Sequence, residues 1–254
     1  MKQQVTAIIP ARYGSTRFPG KPLALICGRP MIAHVYERVV RAQLVDRAIV
    51  ATDDERIAET VTAFGGEVAM TRSDHPTGTD RLAEVAARLD SELIVNVQGD
   101  EPLIAPQMID EAVAPLLDNP AVAMGTLAGR LETLDDYLSP NVVKVVKDAS
   151  GRALYFSRSP IPAVREMSTE ELAGALPQLP VWRHIGLYVY RRELLLEYPR
   201  WPQTPLEKLE CLEQLRALER GVHLHVAQTR WACHGVDTPA DLARVEALLF
   251  RERA

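Results

Sequence analysis

The chain is poor in cysteine. Three occur in 254 residues, Cys27, Cys211 and Cys233, an odd number at wide spacing. That excludes a disulfide framework and points to a reducing compartment, the cytoplasm. No stretch of about 18 consecutive apolar residues exists, and the N-terminus lacks the apolar core and cleavage site of a signal peptide. Integral membrane contact is therefore not expected. Internal repeats, low-complexity tracts and Gly/Ser linkers are also missing. A net charge of -5 argues against a general nucleic-acid binder. No Ser/His/Asp or Cys/His grouping stands out by spacing, so covalent catalysis is not indicated. His223, His225, Cys233 and His234 match no established zinc spacing.

The most telling absence is at the start: no Asp or Glu precedes Glu37. An apolar run, Val5 to Ile9, reads as a buried strand. It empties at Pro10 into Ala11-Arg12-Tyr13-Gly14-Ser15-Thr16-Arg17-Phe18-Pro19-Gly20-Lys21. A basic, glycine-containing, acid-free loop after a strand suits a polyanion such as triphosphate. An ordinary solvent-facing connection remains the alternative. It is neither a Walker A nor a G-x-G-x-x-G loop. Five residues separate Gly14 from Gly20, and Pro22 stands where a magnesium-binding Ser or Thr would follow Lys21.

Further along, strand and helix patterns alternate. Strands are expected at 48–52, 67–70 and 93–97, and helices from Met31, from Asp54 to Phe64, over 80–89 and from Pro106. That pattern predicts an α/β fold with a doubly wound, mostly parallel sheet, ligands sitting at the carboxyl ends of its strands. Beyond Pro120 come expected strands at 142–146, 153–157, 186–190 and 222–227, a long exposed loop over 160–182, and helices over 206–218 and 240–250. The whole reads as one domain, 1–254, with a smaller antiparallel insert at about 140–190.

Asp100 follows an apolar strand, and Asp237 precedes the last helix. Each suits a local role, an Asx-turn or an N-cap. Beside a triphosphate loop they also suit a shared Mg²⁺, which takes one or two carboxylates plus phosphate oxygens. Thr77 and Thr79 could cap a helix, or their turn could bring Gly78 and Arg81 to a nucleotide. His184, Gly186, Tyr188 and Tyr190 share one strand face by alternation.

These blocks, in order, resemble the cytidylyltransferases that activate 3-deoxy-manno-octulosonate (Kdo). The resemblance runs from Ile9–Pro22 through Ala51-Thr52-Asp53, His75–Arg81, Val95–Pro102, Asn141–Val146, Tyr155–Arg158, Arg183–Tyr188 and Leu212–Arg216 to Gly235–Pro239. It covers nearly the whole chain. It implies a nucleotide-diphospho-sugar transferase-like fold, CTP and Kdo as substrates, CMP-Kdo and pyrophosphate as products, a place in lipopolysaccharide assembly, and a homodimer. It places Arg12, Ser15 and Lys21 at the triphosphate, and Arg72, Thr77, Gly78 and Arg81 beside the cytidine. Gln98, Arg158, His184, Tyr188, Glu213 and Gln214 would line the sugar-acid pocket, with Gln98 also near the nucleotide. Asp100 and Asp237 would hold Mg²⁺, and with Arg12 and Lys21 would form the catalytic set. The insert would contribute to the sugar pocket and the dimer interface. Residues 160–182 resemble the family least.

Overall fold

A computed structural model describes residues 3–14 and 18–253. Its frame is a nine-stranded sheet. The first half alternates β1 (Val5–Ala11), the short pair β2 (Leu25–Ile26) and β3 (Arg29–Pro30), α1 (Met31–Val39), β4 (Arg47–Thr52), α2 (Glu55–Ala63), β5 (Val68–Met70), α3 (Gly78–Ala86), β6 (Leu93–Asn96) and α4 (Pro106–Asp118). The second half runs β7 (Met124–Arg130), α5 (Leu134–Leu138), β8 (Lys144–Lys147), β9 (Ala153–Ser157), α6 (Thr169–Ala175), β10 (Trp182–Arg191) and α7 (Arg192–Glu197). It ends with α8 (Pro205–Glu210), α9 (Gln214–Glu219), β11 (Leu224–Thr229) and α10 (Pro239–Arg253).

Strand order is β11-β7-β10-β6-β1-β4-β5. Neighbours are parallel except around β10, which runs against both β6 and β7. Strand alternation divides the core. Val5, Ala7 and Ile9 pack with α1, α2 and α4 on one face, while Ile8 packs with Leu82, Val85 and Ala86 of α3 on the other. Helices on both faces of a mostly parallel sheet are the expected α/β architecture. Asp54 caps α2 by accepting from the Arg56 N–H at 3.0 Å, as its position before the helix suggests.

Four local departures have physical causes. Strand β7 is unforeseen because Gly125 and Gly129 lower its β-propensity; a Cβ on Gly125 would lie 2.6 Å from Leu116 of α4. The expected loop at 160–182 contains α6, opened by a Ser168/Glu171 capping box, and the buried Leu176 and Val181 pack on Leu131 and Tyr137. The antiparallel stretch at about 140–190 divides: β8 and β9 form a hairpin off the sheet, and β10 lies within it. Finally, the helix expected over 206–218 breaks into α8 and α9 at Cys211, whose φ is 51°. Arg158 secures the break, donating from Nε to the Glu210 carbonyl at 2.8 Å and from its terminal nitrogen to the Cys211 carbonyl at 3.3 Å.

Candidate active site

The carboxyl ends of β1 and β6, the turn into α3 and the loop before α10 enclose a cleft of about 350 Å³. Arg12, Lys21, Thr77, Gly78, Arg81, Gln98, Asp100 and Asp237 line it. Gly99 makes the closure possible, since a Cβ there would lie 2.8 Å from the Pro10 carbonyl oxygen. Opposite, α10 packs on Ile26, Met31 and Leu103 through Val245 and Leu249, and the fully buried Val236 belongs to the same cluster. The Val236 N–H donates to the Asp100 carbonyl at 2.9 Å. These contacts bring two loops that are remote in sequence to one side of the cleft.

Lys21 joins their carboxylates. Its Nζ is 2.6 Å from Asp100 Oδ2 and 3.4 Å from Asp237 Oδ1. The same carboxylates are hard oxygen donors converging on one cation, so the residues fit Mg²⁺, with phosphate and water completing its shell. Arg12 is exposed at the rim. Arg81 is buried, 3.0 Å from Asp53 and hydrogen-bonded to Thr71. Thr77 is both cap and lining: its Oγ1 accepts from the Asp80 N–H at 3.2 Å. Ser15 lies outside the described residues.

A second cavity of about 190 Å³ adjoins the first and shares Gly78 and Gln98 with it. Tyr188, Glu213 and Gln214 line it, as do Asn96, Tyr190 and Tyr198. Among the described residues, three of its buried polar atoms have no hydrogen-bond partner: Asn96 Oδ1, Glu213 Oε1 and Gln214 Nε2. Leaving such atoms unpaired costs about 1–3 kcal/mol each, so the cavity is built for a polar guest. Burial pushes the Glu213 carboxyl pKa above its ordinary value. Burial likewise raises the phenols of Tyr188, Tyr190 and Tyr198, keeping them protonated donors.

Three expected site residues lie elsewhere. Arg72 is exposed and engaged with Asp74 at 2.7 Å, away from both cavities. Arg158 does not line the second cavity; besides its contacts at the α8–α9 break it donates to the Pro140 carbonyl at 2.9 Å. Three carbonyls thus engage one N–H on each nitrogen of its guanidinium. His184 stands behind Tyr188, with ring centroids 5.5 Å apart, and its Nε2 is 3.0 Å from Thr126 Oγ1. Burial lowers its pKa to about 3, so the imidazole is neutral. The Thr126 hydroxyl also reaches the Ile185 and Leu187 carbonyls, spanning an irregularity where β10 loses register with β7 between Ile185 and Tyr188. Two extra residues there preserve the alternation that keeps His184, Tyr188 and Tyr190 on one face.

The additional lining residues carry weak sequence signals. Asn96 is one polar residue closing a buried apolar strand. Tyr198 sits in a short turn after α7, where its hydroxyl donates to the Glu213 carbonyl at 2.7 Å. Near the metal-binding candidates, burial pushes the Glu101 carboxyl pKa up to about 7.

The chain matches the family described as Cytidylyltransferase over residues 6–224. It is 60% identical over 245 residues to the 3-deoxy-manno-octulosonate cytidylyltransferase of Syntrophotalea carbinolica, covering 96% of this chain and 98% of that one. Identity to the protein of the same name from Geobacter sulfurreducens is 60% over 243 residues, covering 95% and 97%. A solved CMP:2-keto-3-deoxy-manno-octonic acid synthetase complexed with CTP superposes with a TM-score of 0.91 at 42% identity, covering 98% of this chain and 99% of that one. At 15% identity, the 4-diphosphocytidyl-2C-methyl-D-erythritol synthase of Anaerococcus prevotii shares the fold alone, with a TM-score of 0.64 over 98% of this chain and 97% of that one. On this extent of likeness, the chain belongs to the 3-deoxy-manno-octulosonate cytidylyltransferase family.

Proposed function

We propose that this protein transfers CMP from CTP to Kdo, releasing pyrophosphate and supplying CMP-Kdo for lipopolysaccharide assembly. The observation that carries this reading is the pair of adjoining cavities: one has cations and paired carboxylates, the other unpartnered polar atoms, and they meet at Gly78 and Gln98. A nucleoside triphosphate suits the first and a polyhydroxylated sugar acid the second. The reacting atoms then meet at the shared border.

There the anomeric oxygen of Kdo attacks the α-phosphorus of CTP. A new P–O bond forms as the α–β bridging bond breaks, and pyrophosphate departs. Arg12 and Lys21 offset the charge that develops on the phosphoryl oxygens and the leaving group. Asp100 and Asp237 would hold Mg²⁺, which when bound neutralises phosphate charge and lowers the pKa of the attacking hydroxyl. Lys21 then exchanges its carboxylate partners for phosphate oxygens. Neutral His184 is too weak a base to take the hydroxyl proton, so it orients Tyr188 through ring contact. Among the described residues, no cation lines the second cavity. The Kdo carboxylate therefore faces the first cleft, whose lining includes Arg12 and Arg81, and its hydroxylated tail occupies the Asn96, Glu213 and Gln214 side.

No helix among the described residues is long and apolar enough to cross a membrane. Three free cysteines support a cytoplasmic setting. The family resemblance supports a homodimer, which light scattering tests. Titration calorimetry tests the two-cavity reading. CTP with Mg²⁺ should bind alone, and Asp100→Asn or Asp237→Asn should remove the metal dependence of that binding. Undiminished metal dependence in both variants would count against the site.

A further inference from the structure

Glu101 lies beside Asp100 yet lines neither the cleft nor the second cavity. Its Oε2 is shielded from solvent and makes no hydrogen bond among the described residues. The Cys233 thiol and the His234 backbone N–H are hydrogen-bonding neighbours of the carboxyl group, and the charges of Asp100 and Arg183 also act on it. A Cβ on Gly235 would sit 3.1 Å from its Oε1, so a side chain there would press the carboxylate by a few tenths of an ångström. One residue further, the Val236 N–H holds the Asp100 carbonyl. Glu101 is thus wedged under residues 233–235, two residues before Asp237. The gap between the Asp100 and Asp237 carboxylates depends on how these two loops are spaced.

We propose that Glu101 is a positioning residue: it braces the 233–235 loop against the turn after β6 and thereby sets the separation of the Asp100 and Asp237 carboxylates. The proposal rests on the reading of those carboxylates as the Mg²⁺ ligands. A partner outside the ligand sphere acts by orienting ligands, and removing one costs roughly 10- to 100-fold in metal affinity or activity.

The test compares Glu101→Ala, Glu101→Gln and Gly235→Ala with the unmodified chain by two readouts. One is the Mg²⁺ concentration giving half-maximal pyrophosphate release. The other is the alkylation rate of Cys233 in metal-free protein, followed by peptide mass spectrometry. Glu101→Ala and Gly235→Ala should raise the Mg²⁺ requirement roughly tenfold or more. Both should also expose Cys233 to reagent at least about tenfold faster. Glu101→Gln keeps length and an acceptor and should restore both properties to within about threefold. If Glu101→Ala does not fold, Gly235→Ala decides. An unchanged Mg²⁺ requirement in the folded variants, with or without faster alkylation, contradicts the positioning role, as does failure of Glu101→Gln to rescue. Asp100→Asn, assayed in parallel, keeps the two ideas apart. A normal metal dependence there defeats the ligand assignment, while the Cys233 rate still reports whether the brace exists.

Discussion

Lys21 Nζ lies 2.6 Å from Asp100 Oδ2 and reaches Asp237 Oδ1 at 3.4 Å, so one ammonium spans both carboxylates of the cleft. The lysine holds these carboxylates near each other before substrate arrives, and its charge can pass to phosphate when a metal takes over. Its partners lie on two loops joined by the Val236–Asp100 backbone bond.

Lys21→Ala should weaken CTP binding and slow turnover, each charge-assisted bond being worth about 1.5–3 kcal/mol. Kdo affinity should change little. Steady-state kinetics varying each substrate separates the two, and a variant losing only sugar affinity contradicts the assignment.

Asn96→Ala and Gln214→Ala should raise the Kdo constant by roughly tenfold or more, because a sugar hydroxyl would then be left without its partner. CTP binding without sugar should be unchanged. Calorimetry with CTP alone, beside kinetics varying Kdo, checks both halves. Loss of CTP affinity with a normal Kdo response would move the sugar elsewhere.

His184 makes stability sensitive to acid. Its folded pKa of about 3 lies below the ordinary histidine value of 6.5. Between those values the unfolded chain binds more protons than the folded one, so stability falls as pH falls below 6.5. By pH 5 the loss from this residue is at most about 2 kcal/mol. His184→Gln should reduce the drop in denaturation midpoint between pH 7 and pH 5. An identical drop in both proteins would show that the imidazole does not titrate this way.

Arg158→Ala should chiefly cost stability, since its guanidinium serves the carbonyls of Pro140, Glu210 and Cys211. These carbonyls are exposed or half-buried, so water can replace part of each lost bond and the cost is about 0.5–1.5 kcal/mol each. Chemical denaturation should show a loss of that order, and any rise in the Kdo constant should follow from the displaced Glu213-Gln214 pair. A large kinetic defect at unchanged stability would return Arg158 to direct substrate contact.

Apart from the two-residue strands β2 and β3, the first half of the fold is legible because each element carries its own signal. Val5–Ile9 is a continuous apolar run, Asp54 precedes its helix as a cap, and Gly65, at φ 81°, ends it. Asp100 and Asp237 are legible as turn residues facing the basic loop. The second half depends on distant contacts. Gly125 makes β7 look unlike a strand because α4 packs directly upon it. Cys211 breaks a sequence that would suit one helix because Arg158, 53 residues away, takes the freed carbonyl. The role of Arg158 is hidden for the same reason: an arginine near a sugar motif reads as a ligand until its carbonyl partners are in view. Asn96 is hidden inside an apolar run, and nothing local marks its oxygen as unpartnered.

Pyrophosphate release with CTP, Kdo and Mg²⁺, measured against the same mixture lacking any one of the three, tests the account most directly. Stoichiometric pyrophosphate and CMP-Kdo should form only when all three are present, and Asp100→Asn should abolish both products. Pyrophosphate released from CTP without Kdo, or binding of CTP with no product from any sugar acid, would contradict the transfer reaction assigned to the two adjoining cavities.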